Sequence, residues 1–412
     1  MSTITACRSC EKTGLLPVLD LGKTPLANSL PTPEEVASGA PEPTFPLELV
    51  FCPHCSLLQI TETVDPEILF RNYLYFSSFS DQMVRHAEAI ADRLVKERKL
   101  GKDSLACEIA SNDGYLLQHY KNRGVPVLGI EPAVNVAKVA REERGVDTLA
   151  EFFGKEVGER LAKEGRKADV IHANNVVAHV ADLNGVIAGF SAWLKDSGVA
   201  VIEAPYAKPF LDHVEFDTIY HEHLCYFSLT AVDKLAARHG LVVEHVEQLA
   251  IHGGSLRYFL GKAGHSKRGP AVEKLLAEEA AWGVMDHASY MGFAGRVNAL
   301  KKNLVELLRD LKKAGRTVAA YGAAAKGSTL INFFGIGNDI LDFVADRSTY
   351  KQGRVMPGVH VPIVAASELA KRRPDYCLLL TWNFADEILA QQAEYRAAGG
   401  KFIVPVPEAR IR

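Results

Sequence analysis

Two groups of side chains in this chain have the types and spacing to do chemistry. The first is Cys7-x2-Cys10 together with Cys52-x2-Cys55. A Cys-x-x-Cys turn points two thiolates the same way, and two facing turns make a tetrahedral sulfur cage for zinc. Such a cage leaves no open coordination position, so the expected metal is structural. The interval between the pairs is longer than in common zinc ribbons. His54 could replace one sulfur, and four unrelated buried thiols are the plain alternative. The second group is Asp217-Thr218-Ile219-Tyr220-His221-Glu222-His223, with Tyr226 close behind and His179 upstream. An imidazole that titrates near neutrality can take a carbon-bound proton, a carboxylate can orient it, and a phenol can hydrogen-bond developing negative charge. The same residues could instead bind a metal or pack as a structural cluster, although the helical His-Glu-x-x-His zinc spacing is absent.

Two loops have the character of nucleotide sites. Glu108-Ile109-Ala110-Ser111-Asn112-Asp113-Gly114 follows an expected strand and opens a helix, at the carboxyl edge where nucleotides bind in α/β sheets. Ala110 stands where a dinucleotide fold has its first glycine, and this absence of G-x-G-x-x-G weakens a case for NAD. Glu131 ends the next strand and could bridge two ribose hydroxyls, while Phe152 and Phe153 could sandwich an adenine. Asn174 and Asn175 close a further strand, where side chains would meet the reactive end of a ligand. Farther on, Gly322-Ala323-Ala324-Ala325-Lys326-Gly327-Ser328 reads as a strand, a small-residue turn and a helix start. Backbone N–H groups there favour an anion, and Lys326 adds a point charge; tight strand–helix packing is the alternative. Arg347 and Lys351, beyond the next strand, could reach a nucleotide or diphosphate or belong to a capped turn.

The elements that must position these residues fall into three stretches. At 412 residues the chain exceeds one hydrophobic core. Residues 1–71 hold short apolar runs (Leu15–Leu19, Leu47–Phe51) and read as a small β-rich zinc-binding module, which needs a metal or a neighbour. Residues 72–265 alternate strands (Ser104–Ala110, Val125–Ile130, Asp169–Asn174, Gly198–Glu203) with helices (Tyr115–Arg123, Val134–Glu143, Leu183–Leu194), the pattern of a parallel sheet covered by helices. Leu241–Glu247 and Ser255–Leu260 flank Ile251-His252-Gly253-Gly254 and suit an antiparallel extension of that sheet. Residues 266–412 begin with amphipathic helix and continue as a second α/β unit with strands at Thr317–Tyr321, Leu341–Ala345, Tyr376–Thr381 and Phe402–Val406.

Composition narrows the class. A hydrophobic share of 48% with 24% charged residues is ordinary for a globular protein. A net charge of −3 and no long basic run argue against a nucleic-acid partner. No apolar run approaches the roughly 20 residues of a membrane span. The start, Met1-Ser2-Thr3-Ile4-Thr5, lacks signal-peptide order, so a cytoplasmic protein is expected. Cys107, Cys225 and Cys377 read as buried structural thiols.

The first α/β unit resembles the class I S-adenosylmethionine-dependent methyltransferase fold, a Rossmann-like architecture in which the loop after the first strand contacts the methionine portion. On that resemblance Glu108, Ala110, Asn112, Asp113, Gly114, Glu131, Phe152, Phe153, Asn174 and Asn175 are the expected cofactor contacts. The whole chain is similar to the nucleotide-diphosphosugar C-methyltransferases of deoxysugar pathways. The similarity is carried by the cysteine pairs, Tyr73-Leu74-Tyr75-Phe76-Ser77-Ser78, Ser111-Asn112-Asp113-Gly114, Tyr220-His221-Glu222-His223-Leu224 and Tyr321-Gly322-Ala323-Ala324-Ala325-Lys326. It implies a zinc module with structural Zn2+, a central S-adenosylmethionine-binding domain and a C-terminal Rossmann-like α/β domain that helps hold the nucleotide sugar. It also implies His223 as catalytic base, Tyr220 and Glu222 around the sugar, and His179 as an active-site histidine. Tyr75 and Ser78 fall in a segment that closes over the substrate, and Lys326 and Asn332 in the nucleotide-facing region. The expected reaction moves a methyl to a carbon, C3 by resemblance, beside the keto group of a nucleotide-diphospho-4-keto-6-deoxyhexose. His223 would form the enolate, which would attack the sulfonium methyl in line. The expected partner is thus a small molecule, with no nucleic acid and no membrane, and the chain is expected to be a monomer. The rivals are a methyltransferase of the same architecture on another activated substrate, an NAD-type oxidoreductase for nucleotide sugars, and a non-enzymatic zinc scaffold.

Overall fold

A computed structural model describes residues 2–70, 76–250 and 253–412. At the N-terminus β1 (Ser2–Thr3) pairs antiparallel with β5 (Glu62–Thr63). Between them β2 (Leu16–Pro25), β3 (Thr44–Phe51) and β4 (Leu58–Ile60) form an antiparallel sheet. Leu47, Leu49, Phe51, Leu58 and Ile60 are all fully buried, more apolar surface than so small a unit can cover alone. A neighbour covers it. The Ala288–Lys313 helix lays Tyr290 against Phe51, ring centroids 4.4 Å apart.

The central sheet has seven strands. They are β6 (Ala106–Ile109), β7 (Val127–Ile130), β8 (Thr148–Leu149), β9 (Ala168–Asn174), β10 (Leu194–Pro205), β12 (Leu241–Leu249) and β13 (Ser255–Lys262), in the order β12-β13-β10-β9-β6-β7-β8. Every pairing is parallel except those of β13, which runs antiparallel to both β10 and β12. The 241–262 hairpin therefore joins the sheet through its second strand, which inserts beside β10. The chain leaves β6 toward β7 on one side and later returns as β9 on the other, so a crevice opens at the carboxyl ends of β6 and β9. The two-residue β11 (Cys225–Tyr226) leaves this sheet and pairs antiparallel with β4, giving the N-terminal sheet the order β11-β4-β3-β2.

The C-terminal sheet comprises β14 (Val318–Tyr321), β15 (Val344–Asp346), β16 (Ile363–Ala365), β17 (Tyr376–Leu379), β18 (Lys401–Val404) and β19 (Arg410–Ile411). Its order is β16-β15-β14-β17-β18-β19, parallel except for β19, with its own switch point between β14 and β17. The Pro270–Ala281 helix packs on β12 and on the Leu229–Arg238 helix, whose first turn it caps. Buried Glu279 accepts from Leu229 N and Thr230 N, both at 2.7 Å. The Ala288–Lys313 helix then runs between β2 and β14 and so touches both outer sheets. Among the described residues no helix is long and apolar enough to cross a membrane.

One helix was not expected from the sequence. Asp81–Glu97 buries Ala87, Ile90, Ala91 and Leu94 on one face, and Ser80 caps it by accepting from Met83 N. The helix also carries an ionic network to the sheet. Glu203, fully buried on β10, accepts from Arg257 Nε at 2.6 Å and lies 2.9 Å from His86 Nε2, while Arg257 and Arg93 share Glu247. Burial alone would raise the Glu203 pKa; His86 and Arg257 outweigh it and hold the carboxyl below its ordinary range. A carboxylate depressed in the folded state adds stability above its unfolded pKa of about 4.3, and that stability is lost as pH falls through the folded value. Arg257→Met, which strands the Glu203 charge, is expected to cost about 3–5 kcal/mol in urea unfolding at pH 7. The deficit should shrink on acidification below about pH 4; a deficit independent of pH would show that the ion pair is not its source.

Candidate active site

The four cysteines meet as their spacing requires. Cys7 Sγ lies 3.5 Å from Cys55 Sγ and Cys10 Sγ 3.5 Å from Cys52 Sγ, and all four sulfurs lie within 4.8 Å of one another. Zinc–sulfur bonds of about 2.3 Å in a tetrahedron put the sulfurs about 3.8 Å apart, so the cage fits that ion and is far too open for disulfides. Hydrogen bonds from Cys52 and Cys55 pull the Cys7 thiol down, and the same contacts with burial push Cys55 up. A cation is what lets all four become thiolates. Gln59 Nε2 and Ser9 N donate to Cys7 Sγ at 3.2 and 3.4 Å, the outer contacts a metal-bound sulfur takes. His54 is exposed and is not part of the cage.

At the carboxyl edge of the central sheet, the loop after β6 turns through two non-glycine residues with positive φ, Ala110 at 49° and Asn112 at 50°. Gly114 follows at 78°, where a Cβ would press on Val146 at 3.0 Å. Glu131, ending β7, accepts from Asn112 N at 2.9 Å and Ala133 N at 2.8 Å. Among the described residues several buried polar atoms around this edge have no hydrogen-bond partner: Glu108 Oε2, Ser111 Oγ, Asp113 Oδ1 and both amide atoms of Asn174. Burial, then Asp113, Glu131 and Glu203, push the Glu108 pKa well up. A crowd of buried acids beside an unpartnered amide suits a nucleoside ligand that carries positive charge. Asn175 follows at φ 55°, its N–H on Glu203 O at 2.8 Å. Phe153 is packed against Phe190 and Trp193, centroids 5.5 and 5.6 Å away, so its ring is a core contact; Phe152 is half-buried.

Ser78, expected over the substrate, is latched to this same loop. It donates to Asp113 Oδ2 at 2.5 Å and accepts from Arg144 at 2.8 Å, while Ser77 N donates to Asn112 Oδ1 at 2.8 Å. Tyr75, and Tyr73 with it, lie outside the described residues.

The second chemical cluster forms where the chain leaves β10. The His223 and Tyr220 rings lie 4.0 Å apart, and His179 meets His223 edge-on at 4.8 Å. His223 Nδ1 faces the Thr218 carbonyl at 2.9 Å, and Nε2 faces the Tyr220 hydroxyl at 2.7 Å. A carbonyl only accepts, so Nδ1 carries the hydrogen and neutral His223 offers its lone pair at Nε2. Burial lowers the pKa of half-buried His179 to about 4, so it is neutral at pH 7. Glu222 accepts from Asn28 at 2.6 Å, and His221 turns away to the Pro46 carbonyl at 3.0 Å.

In the C-terminal unit, Asp346 at the end of β15 accepts from Ala323 N and Ser348 N, both at 2.7 Å, the same clamp that Glu131 makes. Lys326 sits 4.5 Å over the Trp382 ring, and Lys351 donates to Ala323 O at 2.7 Å. Arg347 is exposed. Asn332 departs from expectation: its amide nitrogen is tied to Ser328 O and Pro357 O at 2.8 and 3.0 Å, which makes it a link between helix and turn.

Comparison with known proteins agrees with this construction. Residues 7–70 match a zinc binding domain family, residues 82–246 a methyltransferase domain family, and residues 250–407 the C-methyltransferase C-terminal domain family. The chain is 38% identical over 410 residues to the C-methyltransferase NovU of Streptomyces niveus, covering 99% of this chain and 97% of that one. The chain belongs to the C-methyltransferase family. A shorter match, 32% over 95 residues, links 23% of this C-methyltransferase to 38% of a ubiquinone biosynthesis O-methyltransferase of Bartonella quintana. A magnesium protoporphyrin IX methyltransferase from Synechocystis, solved with bound SAH, aligns at TM-score 0.36 and 13% identity over 44% of this chain and 83% of its own. The class I fold rests instead on the strand order and on the matched methyltransferase domain, and S-adenosylmethionine and structural zinc are its cofactors.

Several residues of this C-methyltransferase site were missed by sequence reasoning. Arg144, Asn28 and Trp382, whose indole donates to buried Asp217 at 2.6 Å, reach the site from afar in sequence and carry no local motif. Cys52→Ser is expected to weaken zinc binding more than about 100-fold, checked by metal content after competition with a chelator. Asn174→Ala should weaken S-adenosylmethionine binding about 5–10-fold by calorimetry without lowering the stability of the free enzyme, because its amide has no partner to lose. Equal losses in both would mark Asn174 as a packing residue.

Proposed function

We propose that this C-methyltransferase methylates a carbon, C3 on the family resemblance, next to the keto group of a nucleotide-diphospho-4-keto-6-deoxyhexose, with His223 as general base. The observation that carries the reading is the tautomer of His223, fixed by the Thr218 carbonyl so that Nε2 is the basic nitrogen. Tyr220 holds that lone pair at 2.7 Å. As the substrate C–H takes its place, the phenol is free to donate to the adjacent carbonyl oxygen. The proton moves from carbon to Nε2, and its electron pair spreads onto that oxygen, where Tyr220 stabilises it. S-adenosylmethionine, when bound, would supply the electrophilic methyl, its C–S bond breaking to a neutral thioether as the new C–C bond forms. His179, held neutral by burial, adds no second positive charge beside protonated His223.

The nucleotide end of the substrate belongs, on this reading, at the carboxyl ends of β14 and β17. Buried Thr381 Oγ1, Asn383 Oδ1 and Asp217 Oδ1 have no partner among the described residues, and Lys326 and Lys351 bring positive charge for a diphosphate. His223→Asn should keep the affinities for S-adenosylmethionine and substrate within about threefold while lowering turnover about 10²–10⁴-fold. It should also abolish exchange of the substrate C3 hydrogen with D2O in the absence of methyl donor. Wild-type exchange rates in the variant would remove His223 from the base role.

A further inference from the structure

The metal module and the reacting loop share one sheet, and Gln59 stands at the junction. Its side chain is fully buried on β4. Oε1 accepts from Arg8 N at 2.9 Å and Nε2 donates to Cys7 Sγ at 3.2 Å, so both ends of the amide serve the first cysteine turn. Its backbone is the register partner of Cys225 on β11, and the next residue, Ile60, donates its N–H to Leu224 O at 3.0 Å. Cys225 lies two residues beyond His223. Among the described residues β11 is the edge strand of its sheet, paired with β4.

We propose that Gln59 is a positioning residue for the methyl-transfer reaction, coupling the Cys7 sulfur of the zinc cage to the placement of His223 through the β4–β11 pair. The two hydrogen bonds of the Gln59 side chain tie the first cysteine turn to β4, and the Gln59–Cys225 register pair carries that hold on to β11, so what fixes the cysteine turn also fixes the strand that follows His223. This inference rests on His223 being the base, and its test includes a signal that needs no turnover.

Gln59→Glu keeps an oxygen for Arg8 N but turns an oxygen toward the Cys7 sulfur; Gln59→Met removes both hydrogen bonds and keeps an apolar body of similar length. In the full chain saturated with zinc, either variant should retain one zinc per chain and an unchanged circular dichroism spectrum. It should release zinc to a chromophoric chelator at least about tenfold faster. Turnover should fall about tenfold, with the Kd for S-adenosylmethionine unchanged within twofold. The His223 ring resonance, assigned by its loss in His223→Asn, should shift. Faster zinc release with unchanged turnover and an unmoved resonance would overturn the coupling, as would equal weakening of cofactor binding. If Gln59→Glu fails to fold, Gln59→Met carries the same comparison. Should His223→Asn retain turnover, the base assignment fails while the resonance shift still reports on the coupling.

Discussion

The segment that holds the proposed base, His223, draws part of its backbone pairing from the rest of the molecule. From Glu215 to Tyr226 its regular structure is a single 3-10 turn, Phe216–Thr218, and the two-residue β11. Buried N–H and C=O groups must find partners, so the rest of the molecule supplies them. Ile60 N on β4 bonds Leu224 O, and Ala178 O receives Leu224 N. From the C-terminal unit Thr329 reaches Ile219 O at 3.1 Å and Trp382 reaches Asp217. Thr218 O, left over, takes the ring nitrogen of His223 and the hydroxyl of Tyr226. The outer sheets are therefore conditions for the central site, because removing either would leave buried polar groups of this loop without partners, at about 1–3 kcal/mol each.

A second constraint works at the cofactor edge. Ala110, Asn112 and Asn175 each hold a left-handed backbone that costs L-residues on the order of 1–2 kcal/mol. Glycine would relieve it, and the matching turn of the C-terminal unit does use Gly322, at φ 95°, where a Cβ would collide with Thr381. In the cofactor loop the side chain of Asn112 has work that glycine could not do: its Oδ1 accepts from Ser77 and ties the preceding segment to the loop. The turn geometry of a glycine-rich fingerprint is kept while its residue types are not.

That is also why the sequence was legible in some places and silent in others. The longer strands of both α/β units, the acidic strand end at Glu131 and the four-cysteine cage depend on local pattern or short spacing and could be read directly, whereas β8, β16 and β19, of two or three residues each, carry too little pattern and were not read. The Asp81–Glu97 helix has an apolar stripe through Ala87, Ile90, Ala91 and Leu94 that the sequence shows, and its omission has no physical reason. The Glu203–Arg257 pair exists because β13 inserts beside β10, a matter of strand order that no window of sequence contains. Asn332 was expected near the nucleotide from the family resemblance alone, and its amide nitrogen meets Ser328 O and the Pro357 carbonyl.

The arrangement of charge across the site argues for the chemistry independently of any single residue. The buried acids Glu108, Asp113 and Glu131 gather at this edge, Asp113 paired with Arg144, and burial raises the pKa of Glu108 and of Glu131. The imidazoles and phenol of His179, His223 and Tyr220 occupy the neighbouring space with no net charge when His223 is deprotonated. Lysines 326 and 351 mark the far, C-terminal side. A carbon acid can lose its proton in the middle region only if the new positive charge on the base and the new negative charge on oxygen are each accommodated locally. In low dielectric an imidazolium facing a second imidazolium would be strongly opposed. On the proposed reading, keeping His179 neutral removes that opposition and leaves the enolate oxygen to the phenol, so the order of acids, neutral bases and lysines suits carbanion chemistry between a cationic donor and an anionic handle.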